Sequence, residues 1–334
     1  VTPADLSLTV LHAVRRAVDE GALRVDVPPR VTVERPRPGG VGDYASSIAL
    51  RLARPSGRQP LDVAGILKER LHGSPGIRAV DITGPGFLNF TLDGGQGARL
   101  VREIGAAGVA YGHSDALAGT VVRFAGGVED RARVVQETVV RLLRSQGADA
   151  EVEGEPGGAG QGAGVEPERI PVLPAAHQPR LLGADAARWA LLRPAPHDHA
   201  LPGAPLLVQH ERNPLFRVRY AHSRARALVR NGAQLGVRAV YEVDVEGEAP
   251  SLVGLLADHP AVLRAAARHR APDRVVRHLE GVADALLGFQ HTVLPLGDEK
   301  PSAAHRSRLA LAEAAGTVLA GGLSLLGISA PDQI

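Results

Sequence analysis

The chain has 334 residues, 44% of them hydrophobic, with a formal net charge of +2 and no cysteine. That length allows two or three domains with ample core, and the weak net charge excludes a surface built to bind polyanions everywhere. The missing cysteines exclude disulfides, thiolate metal sites and cysteine nucleophiles.

In chain order, Pro3-Ala4-Asp5 opens a helix that runs toward Glu20. Asp5 early and Arg15-Arg16 late is the wrong charge order for a secretory signal. Arg30 to Glu34 alternates like a strand that ends at Pro36 and Pro38, and Tyr44 to Ala53 reads as a helix with Asp43 as N-cap and Pro55 beyond its end. A helix follows over Leu61 to Leu71, then two strands, Ile77 to Thr83 and Phe87 to Leu92, about the turn Gly84-Pro85-Gly86. Next come a strand at Thr120 to Phe124, a helix from Asp130 to Gln146 and a low-complexity linker over 154–164. Arg169 to Pro174 reads as a short strand, and Ala184 to Arg193 as a helix holding the only tryptophan, Trp189. Four helices, 214–234, 251–270, 273–291 and 303–326, close the chain as a bundle. The apolar tail Val318 to Ile328 is too short and glycine-rich to span a bilayer, so no membrane partner is expected and a cytoplasmic location is the default.

The first of these four helices carries an unusual charge pattern. From Arg212 to Arg238 there are seven arginines and no acid. At 100° per residue, Leu215, Val218, Ala221, His222, Ala225, Leu228 and Val229 share one face. Arg219, Arg226 and Arg230 flank it on one side, Arg217 and Arg224 on the other, and Phe216, Tyr220 and Ser223 face outward. An aromatic strip bordered by guanidinium groups suits a polyanion whose bases stack and whose phosphates accept forked hydrogen bonds.

Several motifs resemble arginyl-tRNA synthetase. The N-terminal region is similar to that family's tRNA-binding module at Glu34-Arg-Pro, at Gly42-Asp-Tyr-Ala-Ser-Ser-Ile-Ala-Leu-Arg-Leu-Ala53 and at Gly84-Pro-Gly-Phe-Leu-Asn-Phe90. The last region resembles the DALR-type anticodon-binding domain: a family pattern near Asn-Pro-x-x-Tyr-Val-Gln-Tyr-Ala-His-Ala-Arg stands here as Asn213-Pro-Leu-Phe-Arg-Val-Arg-Tyr-Ala-His-Ser-Arg224. Leu323-Ser-Leu-Leu-Gly-Ile-Ser-Ala-Pro331 is similar to the family's closing motif, with Ile334 where a methionine is expected. In the middle, Val121-Val-Arg-Phe124 and Gly183-Ala-Asp-Ala-Ala-Arg-Trp189 resemble the two ends of the catalytic core. The family's His-x-Gly-His place holds Gly126-Gly-Val-Glu-Asp-Arg-Ala-Arg133; no histidine lies between His113 and His177, and no lysine between Lys68 and Lys300.

The resemblance implies a multi-domain fold: an N-terminal α+β domain over 1–95, a truncated α/β (Rossmann-remnant) segment over 96–205, and an all-α anticodon-binding-like bundle over 206–334. It implies tRNA or a tRNA-like RNA as partner, met by Phe87 and Asn89 in the first domain and by Phe216, Arg217, Arg219, Tyr220, Arg224, Arg226 and Arg230 in the bundle. The missing signature residues would hold the triphosphate, so the expected protein is a non-catalytic one without amino-acid activation. No cofactor is expected, and the pair His197 and His199 is too small a set for a metal. Two alternatives stand beside this: a tRNA-dependent ligase or transferase, and an interaction module that docks on an intact synthetase or metabolic enzyme.

Overall fold

The computed structural model describes every residue except 1–2, 35, 37–41, 93–95, 128, 154–165 and 176–178. The expected linker, Arg35 of the Glu34-Arg-Pro motif and Val128 therefore lie outside the described residues. The chain forms two compact units, Val1–Gln96 and Gly97–Ile334.

In the first unit, α1 (Pro3–Asp19) places Leu6, Val10, Ala13, Val14 and Ala17 on one buried stripe, at the three- and four-residue spacing of a helix face. α2 (Ile48–Ser56) and α3 (Pro60–Leu71) add Leu52, Val63, Leu67 and Leu71 to the same core. β1 (Tyr44–Ser46), β2 (Ile77–Thr83) and β3 (Phe87–Leu92) make an antiparallel sheet in the order β1-β3-β2. Leu88 and Phe90 of the central strand are buried in this core.

Four expectations fail here. Tyr44–Ser46 is a strand, paired with Phe90, Asn89 and Leu88, and the helix begins only at Ile48. Tyr44 and Ser46 are buried and Ala45 between them is half-buried. Asp43 is not an N-cap: its carboxylate accepts from the Leu92 amide at 2.8 Å, and Pro55 sits inside the last turn of α2. The expected strand at Arg30 to Glu34 is only a single bridge from Glu34 to Ala45.

In the second unit, α4 (Gln96–Ala107) leads to β4 (Val121–Phe124), α5 (Asp130–Ser145) and β5 (Asp149–Val152), with β4 and β5 parallel and in register from Val121–Asp149 to Phe124–Val152. Neither α4 nor β5 was anticipated. Arg169 to Pro174 is not a strand; Glu168 alone bridges to Phe124. After α6 (Ala184–Leu192) come the bundle helices α7 (Pro214–Gln234), α8 (Pro250–His269), α9 (Asp273–Phe289) and α10 (Ala303–Leu326). α10 is long and apolar enough to cross a membrane, but most of it is buried against α7, α8 and α9. One continuous core runs from Phe124 and Leu142 through Trp189 to Leu256, Leu279 and Leu319, so the βαβ segment and the bundle share it.

Two guanidinium groups finish α10. Arg141 Nε, from α5, donates to the Leu325 carbonyl at 2.9 Å, and Arg188 Nε, from α6, to that of Leu326 at 2.8 Å. They satisfy end carbonyls that a helix leaves without partners and place positive charge at its negative pole. Gly327 ends the helix at φ 71, and a Cβ there would lie 2.7 Å from Arg188 Nε.

Candidate nucleic-acid interface

The Asn213-Pro214 pair is the start signal of α7. The Asn213 side chain accepts from the Leu215 and Phe216 amides, and Pro214 takes the first helical position, where no amide is needed. Its Nδ2 donates to the Leu206 and Val208 carbonyls at 2.8 and 2.9 Å, fastening the preceding turn to the helix. Leu215, Val218, Ala221, His222, Ala225 and Leu228 are buried. His222 donates from Nδ1 to the Pro331 carbonyl across 3.0 Å, and its burial lowers its pKa, so it is a neutral structural residue.

Phe216 and Tyr220 stack, with centroids 5.7 Å apart, and Tyr220 is 39% exposed. Ser223, expected on this outward face, is buried: its hydroxyl donates to the Asp332 carbonyl at 3.2 Å, because the C-terminal tail lies along that side of the helix. The apparent lack of compensating acid is also corrected, since the acids come from other elements. Arg217 Nε lies 2.7 Å from Asp284 Oδ1 on α9, and Arg224 donates to Gln290 Oε1 at 2.7 Å. On the other flank, Arg219 lies 3.6 Å from Asp185 and donates to Ser329 Oγ, Arg226 lies 3.1 Å from Asp332, and Arg230 reaches the Asp332 carbonyl. The side chains of Arg217, Arg219 and Arg226 nonetheless remain 30%, 29% and 47% exposed. Solvated pairs of this kind contribute about 0–1 kcal/mol each, too little to hold a guanidinium against a polyanion.

Beside this helix opens a cleft of about 470 Å³, lined by Asp185, Leu206, Leu207, Val208, Asn213, Phe216, Arg219 and Ile334 among others. Leu207 and Val208 at its edge are more than half exposed. Its lining mixes apolar side chains and the Phe216 ring with the polar Asp185, Gln209, Asn213, Arg219 and Gln333.

In the first unit, Gly86 sets the tight turn before β3: at φ 132, a Cβ there would fall 2.9 Å from the Pro60 carbonyl. Phe87 emerges from this turn 38% exposed. Asn89 is buried, and its Nδ2 donates to Thr83 Oγ1 at 2.7 Å and to the Phe87 carbonyl at 3.3 Å, so its amide locks the turn that presents Phe87.

The turn after β4 is filled from within. Glu129 caps α5, accepting from the amides of Arg131 and Ala132 with one oxygen and from Ala175 with the other. Gln136 bridges the Gly127 amide and the Ala125 carbonyl, both at 2.9 Å. Arg131 is fully buried and donates only to backbone carbonyls: Asp198 at 2.6 Å, Leu173 at 2.8 Å, Ala195 at 2.9 Å, Leu191 at 3.1 Å and Pro194 at 3.5 Å. Burial lowers its pKa, but an arginine stays charged at that starting value. Among the described residues no group of three or more His, Asp or Glu side chains is placed to hold a metal ion; His197 and Asp198 are both exposed.

Residues 8–92 match the arginyl tRNA synthetase N terminal domain, and residues 218–334 match the DALR anticodon binding domain. The arginine--tRNA ligase of Micrococcus luteus is 43% identical over 166 residues, which cover 45% of this chain and 30% of that protein. The arginine--tRNA ligase of Renibacterium salmoninarum is 27% identical over 549 residues, covering 100% of both. This chain has 334 residues, so more than a third of that alignment lies opposite gaps in it. The arginyl-tRNA synthetase of Thermus thermophilus superposes with a TM-score of 0.72 at 13% identity over 100% of both chains, which establishes the likeness of fold. A helical bundle of the anticodon-binding class, carried on one chain with a small α+β unit, defines a protein of aminoacyl-tRNA synthetase type. With that family's N-terminal and anticodon-binding domain types at its two ends, the chain is a relative of the arginyl-tRNA synthetases.

These relatives overturn the expectation of a chain that is not an enzyme. A protein that aligns with it from end to end is named as a ligase, and nothing positive in the structure marks this chain as inactive. The absent motifs describe local sequence and do not carry that conclusion.

Proposed function

We propose that the chain binds tRNA, with the second unit gripping the anticodon arm through α7. The observation that carries this reading is the stacked Phe216–Tyr220 pair, set between two rows of half-exposed guanidinium groups and opening on the adjacent cleft. Bases stack on the rings, and Arg217, Arg219, Arg224, Arg226 and Arg230 exchange weak surface acids and carbonyls for phosphate. Phe87, held out by the Asn89-locked turn, is a second stacking contact on the same RNA. Two weak contacts on one chain gain affinity through effective concentration. The test is binding of a tRNA pool over a salt series: a linear fall of log affinity with log salt is expected. Arg217→Ala with Arg219→Ala should weaken binding across sequences and flatten that slope. Binding without salt dependence, or none, would end the reading.

The end-to-end alignment with a named ligase favours a second reading, in which the chain joins arginine to tRNA. Arginine-dependent ATP–pyrophosphate exchange by the isolated chain supports it; exchange no greater than without arginine leaves tRNA binding as the function.

A further inference from the structure

The outer face of α9 continues the α7 interface. Along it stand the exposed Arg274, Arg277, Asp284 and Gly288 and the half-buried Gly281, spaced at three and four residues so that all five lie on one side of the helix. Asp284 is the residue that meets Arg217 of α7, so the stripe starts at the arginine rows already described. From Asp284, Arg277 stands two turns away, about 10 Å, and Arg274 nearly one turn further, about 5 Å. Arg277 is 55% exposed and tied only to Asp273 on its own helix, at 2.8 Å. Arg274 is exposed, and its guanidinium has no acceptor among the described residues. The two glycines are not required by packing. A Cβ at Gly288 would meet nothing within 4 Å, and one at Gly281 would make ordinary contact with Leu255 at 3.5 Å. Neither has a positive φ, and an interior glycine weakens a helix relative to alanine. The two glycines leave bare helix on either side of the Asp284–Arg217 pair, which gives a chain backbone room to lie close to α9 there. Two acids stand at this face and each is paired: Asp284 with Arg217, and the buried Asp273 with Arg277.

We infer that the RNA strand held by α7 runs on along α9, with Arg277 and Arg274 taking successive phosphates over the Gly281–Gly288 floor. The inference rests on the tRNA-binding reading above. It is tested with an unmodified tRNA transcript in a salt series, on the full chain, with thermal melts alongside. Arg274→Gln with Arg277→Gln should lower the magnitude of the salt slope by about 1.4 to 1.8 and weaken binding on the order of ten-fold at low salt. Gly288→Leu, which has open space to occupy and favours the helix, should weaken binding several-fold with the melting temperature unchanged or raised. If wild type binds with a salt slope, Arg217→Ala with Arg219→Ala lowers it, and both α9 variants match wild type, the α9 track is wrong while the α7 reading stands. If wild type shows no salt-sensitive binding, both go together.

Discussion

Replacing Arg131 by methionine tests whether a buried guanidinium holds the second unit together. The side chain is fully buried, and its five carbonyl partners come from the segment at Leu173 and from the stretch Leu191 to Asp198. Four of those contacts are 3.1 Å or shorter. A hydrogen bond to a charged donor contributes roughly 1.5–3 kcal/mol, but the four do not add, because the loop relaxes and water enters once the donor is gone. Losing the shared donor of a buried polar network should therefore cost about 3–5 kcal/mol, the range found when one member of a buried ion pair is removed. Trp189 makes the assay specific: it is the only tryptophan, it is fully buried, and it lies two residues before Leu191. Its emission in a urea titration reports the second unit alone, which matters because two units need not unfold together. Arg133→Met is the control, since Arg133 pairs only with Asp130 at the surface and its loss should stay within about 0.5 kcal/mol. A shift under about 1 kcal/mol for Arg131→Met, with unchanged Trp189 emission, would refute the claim that the guanidinium organises this region.

Gly327→Ala should destabilise the second unit by about 1–3 kcal/mol, measured by the same titration, because φ 71 is costly for alanine and the new Cβ would push Arg188 off the end of α10. The rings of His259 and His278 lie tilted in the core with centroids 5.2 Å apart; burial pushes His278 down to about 4, and burial, His278 and His113 hold His259 well below its ordinary range. Both are neutral when folded, so the unfolded chain binds more protons as pH drops below 6.5, and stability present above that value is lost on acidification toward pH 4. The His278 contribution is about 3 kcal/mol; His278→Gln should flatten the pH dependence of urea midpoints between pH 7 and pH 4.5, and an unchanged slope would contradict this. Phe87→Ala should weaken tRNA binding without moving the melting temperature, whereas Asn89→Ala should cost about 1–2 kcal/mol in the first unit by freeing the turn. The reverse pattern would show that Phe87 belongs to the core.

The bundle was readable because α7 to α10 are long and strongly periodic, and the β2–β3 hairpin because glycine and proline mark its turn. β1 was missed because three residues cannot establish a period and its partner, β3, lies more than forty residues away. α4 was obscured by Gly97 and Gly105, which weaken the local helix signal, and β5 by its length of four residues. The arginines of α7 were visible at once, but their charge partners were not: Asp185, Asp284 and Asp332 come from three distant places in the chain. Asn89 shows the same limit. A turn-locking amide and a base-reading amide look alike until Thr83 is seen opposite it.

Arg141 and Arg188 make the last bundle helix dependent on α5 and α6. The segment that matches the DALR domain begins at residue 218, after both of them. Cut there, the piece would expose the Leu325 and Leu326 carbonyls and shed the wall of core around Trp189. The bundle is thus no portable cassette: its final helix takes its footing from the βαβ segment and α6 ahead of it.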